Sequence, residues 1–185
     1  MGNPVTDTAL TDLLNSRIRD VPDYPKPGVL FKDIAPLLAD AEAFGALTRA
    51  LAERAKELGA TKVVGLEARG FVLAAPAAVA AGLGFVPIRK KGKLPGEVFQ
   101  KSYDLEYGSA TLEVQCDAFA PGEKVLVVDD VLATGGTIAA SLDLVQRAGA
   151  ELVGVVVLME LGFLDGRERL APHLAGAPLE TLVTV

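Results

Sequence analysis

The chain has 185 residues, enough for one well-buried core, so a single domain over residues 1–185 is the default expectation. Half of the residues are hydrophobic, yet no apolar run approaches the roughly 20 residues a membrane-crossing helix needs, and no basic stretch followed by an apolar one marks a secretory signal. A net charge of −6 argues against a nucleic-acid-binding surface, and the single cysteine, Cys116, leaves no internal disulfide and points to a reducing compartment, the cytoplasm.

In chain order, residues 6–16 place Leu10, Leu13 and Leu14 on one side of a short amphipathic helix. Between Asp20 and Gly28, the prolines at 22, 25 and 27 require extended or turning backbone. Asp40 is placed to cap a helix running to about Leu58, where Phe44, Leu47, Leu51 and Leu58 recur at helical spacing and Gly59 is the stop. Residues 62–66 read as a buried strand and Glu67-Ala68-Arg69-Gly70 as a loop. An alanine-rich helix over 71–81 is closed by Gly82 and Gly84, and 85–88 is the next strand. Residues 91–122 break this rhythm: they are polar and aromatic, and the alternation Thr111-Leu112-Glu113-Val114-Gln115 predicts a projecting hairpin that returns through Pro121-Gly122. A strand at 125–128, a helix at 137–148 and a strand at 152–158 complete the alternation. Strands interleaved with helices imply an α/β fold: a central, mainly parallel sheet flanked by helices, with ligands beyond the carboxyl ends of the strands.

Most of the chemistry sits between Val125 and Thr137. Val125-Leu126-Val127-Val128 suits a strand buried on both faces. Asp129 and Asp130 follow, where that strand should end, then the small loop Ala133-Thr134-Gly135-Gly136, and Thr137 opens a helix. Amides at a helix N-terminus and the positive end of its dipole hold phosphate, and glycines let the backbone approach it. Two carboxylates accept hydrogen bonds from a vicinal diol, such as the 2′ and 3′ hydroxyls of ribose. The stretch lacks the lysine of a Walker A loop and the G-x-G-x-x-G of a dinucleotide fingerprint. An acidic chain that binds a polyanionic sugar must gather positive charge locally, and Arg89, Lys90, Lys91 and Lys93 do so. Taken singly, each of these residues has an ordinary reading: solvated aspartates, a surface arginine at 69, a core phenylalanine at 31, an exposed glutamate at 106. Their combined order does not.

In that order, residues 125–137 form a phosphoribosyl-diphosphate-binding signature and resemble the type I phosphoribosyltransferases. The signature identifies the sugar donor and not the acceptor. Three further segments narrow the acceptor. They are Tyr24-Pro25-Lys26-Pro27-Gly28-Val29-Leu30-Phe31-Lys32-Asp33-Ile34, Gly65-Leu66-Glu67-Ala68-Arg69-Gly70-Phe71, and Arg89-Lys90-Lys91-Gly92-Lys93-Leu94-Pro95-Gly96 with Tyr103-Asp104-Leu105-Glu106-Tyr107-Gly108. Together they resemble the adenine phosphoribosyltransferases, over about residues 20–170.

The resemblance implies conversion of adenine and 5-phosphoribosyl 1-diphosphate to AMP and diphosphate through an oxocarbenium-like transition state. It implies that Ala133, Thr134, Gly135, Gly136 and Thr137 cradle the 5′-phosphate while Asp129 and Asp130 hold the ribose hydroxyls. It assigns Glu67, Ala68, Arg69 and Gly70, with Arg89, Lys90 and Lys93, to the diphosphate, where a guanidinium can grip two oxygens at once. Leu30, Phe31 and Lys32 would read adenine, Phe31 by stacking; Lys32 stands where many family members have arginine. Glu106 would mediate transfer of the purine's ring proton or stabilise charge, with Tyr107 beside it in a mobile hairpin lid over residues 91–122, and residues 1–34 would contribute to a base-binding hood. Mg²⁺ is expected through the substrate diphosphate, with no direct protein ligand, and the resemblance implies a homodimer with neither nucleic-acid nor membrane partners. His173 and Cys116 lie outside every motif. Two alternatives stay open on the residues alone. One is transfer to orotate, xanthine or hypoxanthine, against which residues 24–34 weigh. The other is a non-catalytic sensor of the sugar diphosphate, against which Arg69, Glu106 and the lack of a positive surplus weigh.

Overall fold

The computed structural model describes residues 8–104 and 108–185. The chain divides into two compact units, residues 1–50 and 51–185, and the division falls inside the helix Ala41–Glu57.

In the first unit, α1 (Thr8–Asn15) buries Leu14. β1 (Arg19–Pro22) and β2 (Leu30–Asp33) form an antiparallel ribbon with Val21 opposite Phe31. The connection is the proline-rich turn legible in the sequence, closed by Asp23 Oδ1 accepting the Gly28 N–H at 2.8 Å. The pairing itself has no sequence signature, because the strands are too short to show alternation. α2 (Ala35–Ala39) and α3 (Ala41–Glu57) are separated by Asp40. Asp40 Oδ1 accepts the N–H groups of Glu42 and Ala43, each at 3.0 Å, and is the predicted cap. The Ala43 N–H, then Arg17 at 2.7 Å, hold this carboxyl below its ordinary value.

The second unit is built on a seven-stranded sheet. Its strands are β3 (Lys62–Leu66), β4 (Gly84–Lys90), β5 (Val98–Asp104), β6 (Ser109–Gln115), β7 (Lys124–Leu132), β8 (Glu151–Glu160) and β9 (Leu179–Thr184), in the spatial order β5-β6-β4-β3-β7-β8-β9. β4, β3, β7, β8 and β9 run parallel, and the hairpin β5–β6 is antiparallel. α4 (Arg69–Ala81) follows β3, and α5 (Gly136–Arg147) follows β7. Between β8 and β9 lies α6 (Gly166–Leu170), flanked by 3-10 turns at Gly162–Leu164 and Ala171–His173. Val125, Leu126, Val127 and Val128 are fully buried, as a strand covered on both faces requires. Each such side chain stabilises the fold by about 1.5–3 kcal/mol, so β7 is a firm base for the loop beyond it. No described helix is long and apolar enough to cross a membrane.

The structure corrects several sequence expectations. β7 does not end at Val128: it continues through Asp129 and Asp130 because its ladder to β8 runs on to Leu132 opposite Glu160. Apolar patterning reports burial, and here it stops before the hydrogen bonding does. α4 begins at Arg69, not Phe71, and α5 at Gly136, not Thr137. The hairpin within 91–122 is present, but its base belongs to the sheet. Arg89 faces Glu113, Lys90 faces Leu112, and Leu112 and Val114 are buried. β9 and α6 carry too weak a pattern to be anticipated. Glu106 and Tyr107 lie outside the described residues.

Candidate active site

A cavity of about 400 Å³ opens at the carboxyl ends of the parallel strands of the second unit. Glu67, Ala68 and Arg69 enter it from the end of β3, Lys90 from β4, and Asp129 and Asp130 from β7; the loop Ala133-Thr134-Gly135-Gly136 and Thr137 close another side. Most of the predicted sugar-phosphate and diphosphate residues thus share one space. Leu30, Phe31 and Lys32 belong to the first unit. There Leu30 is 53% exposed, Phe31 is half-buried with its ring edge-on to Tyr24 at 5.1 Å, and Lys32 Nζ lies 2.7 Å from Asp20 Oδ1.

The loop after β7 is an anion cradle made from backbone. Gly135 is the residue before α5, at φ 80°, and no side chain caps the helix. The first amides of any α-helix lack intrahelical acceptors, so here they are available to a ligand. Gly135 is also required sterically: a Cβ would lie 2.8 Å from the Gly166 carbonyl oxygen. Gly166 in turn leaves no room for a Cβ against the Ala133 carbonyl. The start of α6 therefore buttresses the cradle, a role that sequence reading missed because 166 lies in a segment without periodicity.

The acid pair sits beside the cradle. Asp130 is only 5% exposed, which rules out the ordinary reading of a solvated aspartate there, and Asp129 is half-buried. Asp129 Oδ1 accepts the N–H of Asp130 at 2.9 Å. Arg69 Nη2 lies 2.8 Å from Asp130 Oδ2, but the approach is that of an ion pair: among the described residues Oδ2 receives no aligned hydrogen bond. Burial, then the adjacent Asp130 carboxylate, pushes Asp129 well above the usual carboxylate range. Burial also raises Asp130, against the pull of Arg69. Two carboxylates side by side and shielded from water resist double ionisation, and a ligand bringing hydroxyl donors or a cation relieves that cost. Gly70 leaves room for the pair: a Cβ there would meet Asp129 Oδ1 at 2.7 Å.

The basic segment is less uniformly directed at the cavity than its sequence predicts. Arg89 Nε donates to Glu67 Oε2 at 3.0 Å and Arg89 Nη1 to the Lys93 carbonyl at 3.1 Å. The Lys90 N–H also donates to Glu67, at 3.1 Å. Burial raises the Glu67 carboxyl, but the Lys90 N–H and the Arg89 guanidinium outweigh it and hold the group below its ordinary value. Lys90 reaches the cavity wall while Arg89, Lys93 and Gly70 do not. α4 also points its start at the cavity, through Ala68 and Arg69, and no side chain caps it. Tyr103, Ala110 and Leu112 from the hairpin, Val131 from β7 and Ile138 from α5 complete the lining and were not among the expected residues; Tyr103 opens the segment 103–108, but nothing in the sequence ties it to the loop after β7.

Comparison with known proteins agrees with this geometry. The sequence profile of the Phosphoribosyl transferase domain family matches residues 37–177. An adenine phosphoribosyltransferase of Streptomyces coelicolor is 68% identical over 178 residues, covering 96% of this chain and 98% of that protein. The crystal structure of adenine phosphoribosyltransferase from Rhodothermus marinus matches with a TM-score of 0.88 at 47% identity, covering 97% of this chain and 100% of that one. The Saccharomyces cerevisiae enzyme, complexed with D-2,5-dideoxy-2,5-imino-altritol 1,6-bisphosphate and adenine, matches with a TM-score of 0.87 at 40% identity, covering 95% of this chain and 99% of that one. With an uncapped helix start, an acid pair beside it and this degree of likeness, the chain belongs to the phosphoribosyltransferase family, among its adenine phosphoribosyltransferases.

Proposed function

We propose a division of labour among these residues for the family's reaction. The chain converts adenine and 5-phosphoribosyl 1-diphosphate to AMP and diphosphate. The observation that carries the assignment of roles is the uncapped start of α5 beside a carboxylate pair, Asp130 buried and Asp129 partly so, in one cavity. In this reading the amides of Ala133 to Thr137 bind the 5′-phosphate, and Asp129 and Asp130 accept hydrogen bonds from the ribose diol. Arg69, Lys90 and the start of α4 bind the diphosphate, while Glu67 orients Arg89 and the Lys90 backbone and takes no phosphate itself. Leu30, Phe31 and Lys32 read adenine; because Lys32 Nζ is engaged by Asp20, its contact to the base is through the main chain.

As the C–N bond forms at the anomeric carbon, positive charge develops on the sugar and the purine ring proton must leave. Glu106 takes that proton or stabilises the charge, and the hairpin of β5 and β6 excludes water. The donor set fits Mg²⁺: the acid pair offers hard oxygen, including a buried Asp130 Oδ2 without an aligned donor. Among the described residues no group of three or more acidic, His or Cys side chains forms a cage; Asp129 and Asp130 would hold the ion together with the substrate diphosphate. When bound, Mg²⁺ neutralises charge on the departing diphosphate.

The assembly is a homodimer in the cytoplasm. α4 supports this: from Gly70 to Leu83 no residue is polar, and Val72 and Val79 are exposed, Val79 by 79%. A helix apolar on all sides calls for cover on each. The lone Cys116 is a free thiol, in keeping with a reducing compartment.

Conversion of radiolabelled adenine to AMP tests the function, with donor and Mg²⁺ each supplied or withheld. Turnover should need both. Adenine should exceed hypoxanthine in kcat/KM by a wide margin, because an oxo group meets an acceptor with an acceptor; comparable values would overturn the base assignment. Glu106→Gln should lower kcat by about 10²–10⁴-fold with little loss of donor affinity, and an unchanged kcat removes Glu106 from the reaction.

A further inference from the structure

Tyr103, near the end of β5, has no part in the division of labour above, yet the fold brings its phenol to the anion cradle. Thr137 Oγ1 donates to Tyr103 Oη at 3.1 Å. The ring edge stands 3.5 Å from where a Gly136 Cβ would be, in ordinary contact with the first turn of α5. Tyr103 also lines the cavity. Its strand is fastened to the same helix by three further contacts. Lys101 Nζ lies 2.5 Å from Asp143 Oδ2, Arg147 Nη1 donates to the Gln100 carbonyl at 3.3 Å, and the Arg147 guanidinium lies 4.9 Å above the Phe99 ring. The position of the phenol is therefore set by the packing of β5 on α5.

A tyrosine hydroxyl has one proton to give and lone pairs to accept with. By accepting from Thr137, the phenol keeps its own proton, and among the described residues no acceptor takes it. We propose that Tyr103 binds the 5′-phosphate: Thr137 donates to Oη, and the Oη proton goes to a phosphate oxygen. This rests on the reading that residues 133–137 hold that phosphate. Donors in series polarise one another, and a ring packed on Gly136 keeps water from the amides, which strengthens their hold on the anion. The phenol adds direction without charge, so the dianion is still released with the product.

The test is binding of AMP and of adenosine, which differ only in the phosphate, to the full chain and to Tyr103→Phe, Thr137→Val and the double variant. Phe keeps the ring, and circular dichroism and Tm report whether each variant folds. A hydrogen bond to a charged group predicts that Tyr103→Phe weakens AMP by about 10-fold or more and leaves adenosine within about 2-fold. Because both reactant and transition state carry this phosphate, the loss should appear in donor KM and not in kcat. The double variant should be no weaker than the weaker single one, since both break one relay. Equal loss for AMP and adenosine makes Tyr103 structural and overturns the proposal. So does a silent Tyr103→Phe beside a Thr137→Val that loses AMP, and that result leaves the phosphate reading standing. If both variants bind AMP as the unaltered chain does, this inference falls, while the reading that the amides of residues 133–137 hold the phosphate stands, because neither substitution removes a backbone N–H.

Discussion

Two loops meet at the cavity, and what they offer an anion differs in kind. The loop after β7 offers backbone: uncapped amides at the start of α5, with Gly135 and Gly166 in contact behind them. The loop after β3, with the end of β4, offers side chains, and part of their charge is already spent, since Glu67 holds Arg89 and the Lys90 N–H. Fixed dipoles suit a phosphate that stays in place throughout the reaction. Charged side chains partly neutralised by a neighbour suit a diphosphate that must depart. A site can thus bind one end of its substrate rigidly and the other reversibly, although both ends are phosphates.

If the contrast is right, the backbone loop should be the less tolerant. Gly135→Val forces a branched side chain into a left-handed conformation and against the Gly166 carbonyl. Displacement of a cradle by about 1 Å costs roughly 100-fold, so kcat/KM for the donor should fall at least that far, with a lower Tm. Near-normal turnover would break the comparison at its root. Next in size is the acid pair. The double variant Asp129→Asn/Asp130→Asn removes two charge-assisted acceptors for the diol, and kcat/KM should drop by about 10²–10⁴-fold. Circular dichroism should stay unchanged, since Asn fits the same space; activity within a few-fold of the parent would return the pair to a structural role.

On the side-chain loop the effects should be smaller and graded. Arg69→Lys keeps the charge and loses the two-pronged grip, so donor KM should rise about 10-fold. Arg89→Lys, one step removed through Glu67, should do less. Equal losses would mean that both arginines touch the diphosphate. The smallest effect is a drift of stability with pH. The carboxyls of Asp129 and Asp130 titrate above their ordinary range in the folded chain, so folding favours the protonated form. Their contribution is fully present below about pH 4, the unfolded value, and fades as the pH climbs through the raised folded values. Urea unfolding of ligand-free protein from pH 4 to 8 should find Asp129→Asn gaining on the unaltered chain as the pH rises; a constant difference would mean the pair is not strained.

Much of the architecture was legible before the fold was known, because it is written locally. The run Val125-Leu126-Val127-Val128 has the β-branched composition of a strand covered on both faces, and the glycine loop following it suits the start of a helix. Asp40 announces its own helix, since a cap bonds amides two and three residues away. The phosphate loop is contiguous for the same physical reason: successive amides of one turn converge on one anion. What depended on distant parts of the chain was not legible. The ladder to β8 carried β7 past Asp129 and buried Asp130, which no apolar pattern records. The order of strands set Arg89 against Glu67 and not toward the cavity. The start of α6 was placed against Ala133, and the packing of β5 on α5 brought Tyr103 to Thr137 across 34 residues of chain. Local order along the chain fixes which segments are suited to phosphate and ribose, because the groups suited to them are neighbours in sequence; which charges stay available is fixed by packing, because the partners that consume or position them arrive from other strands.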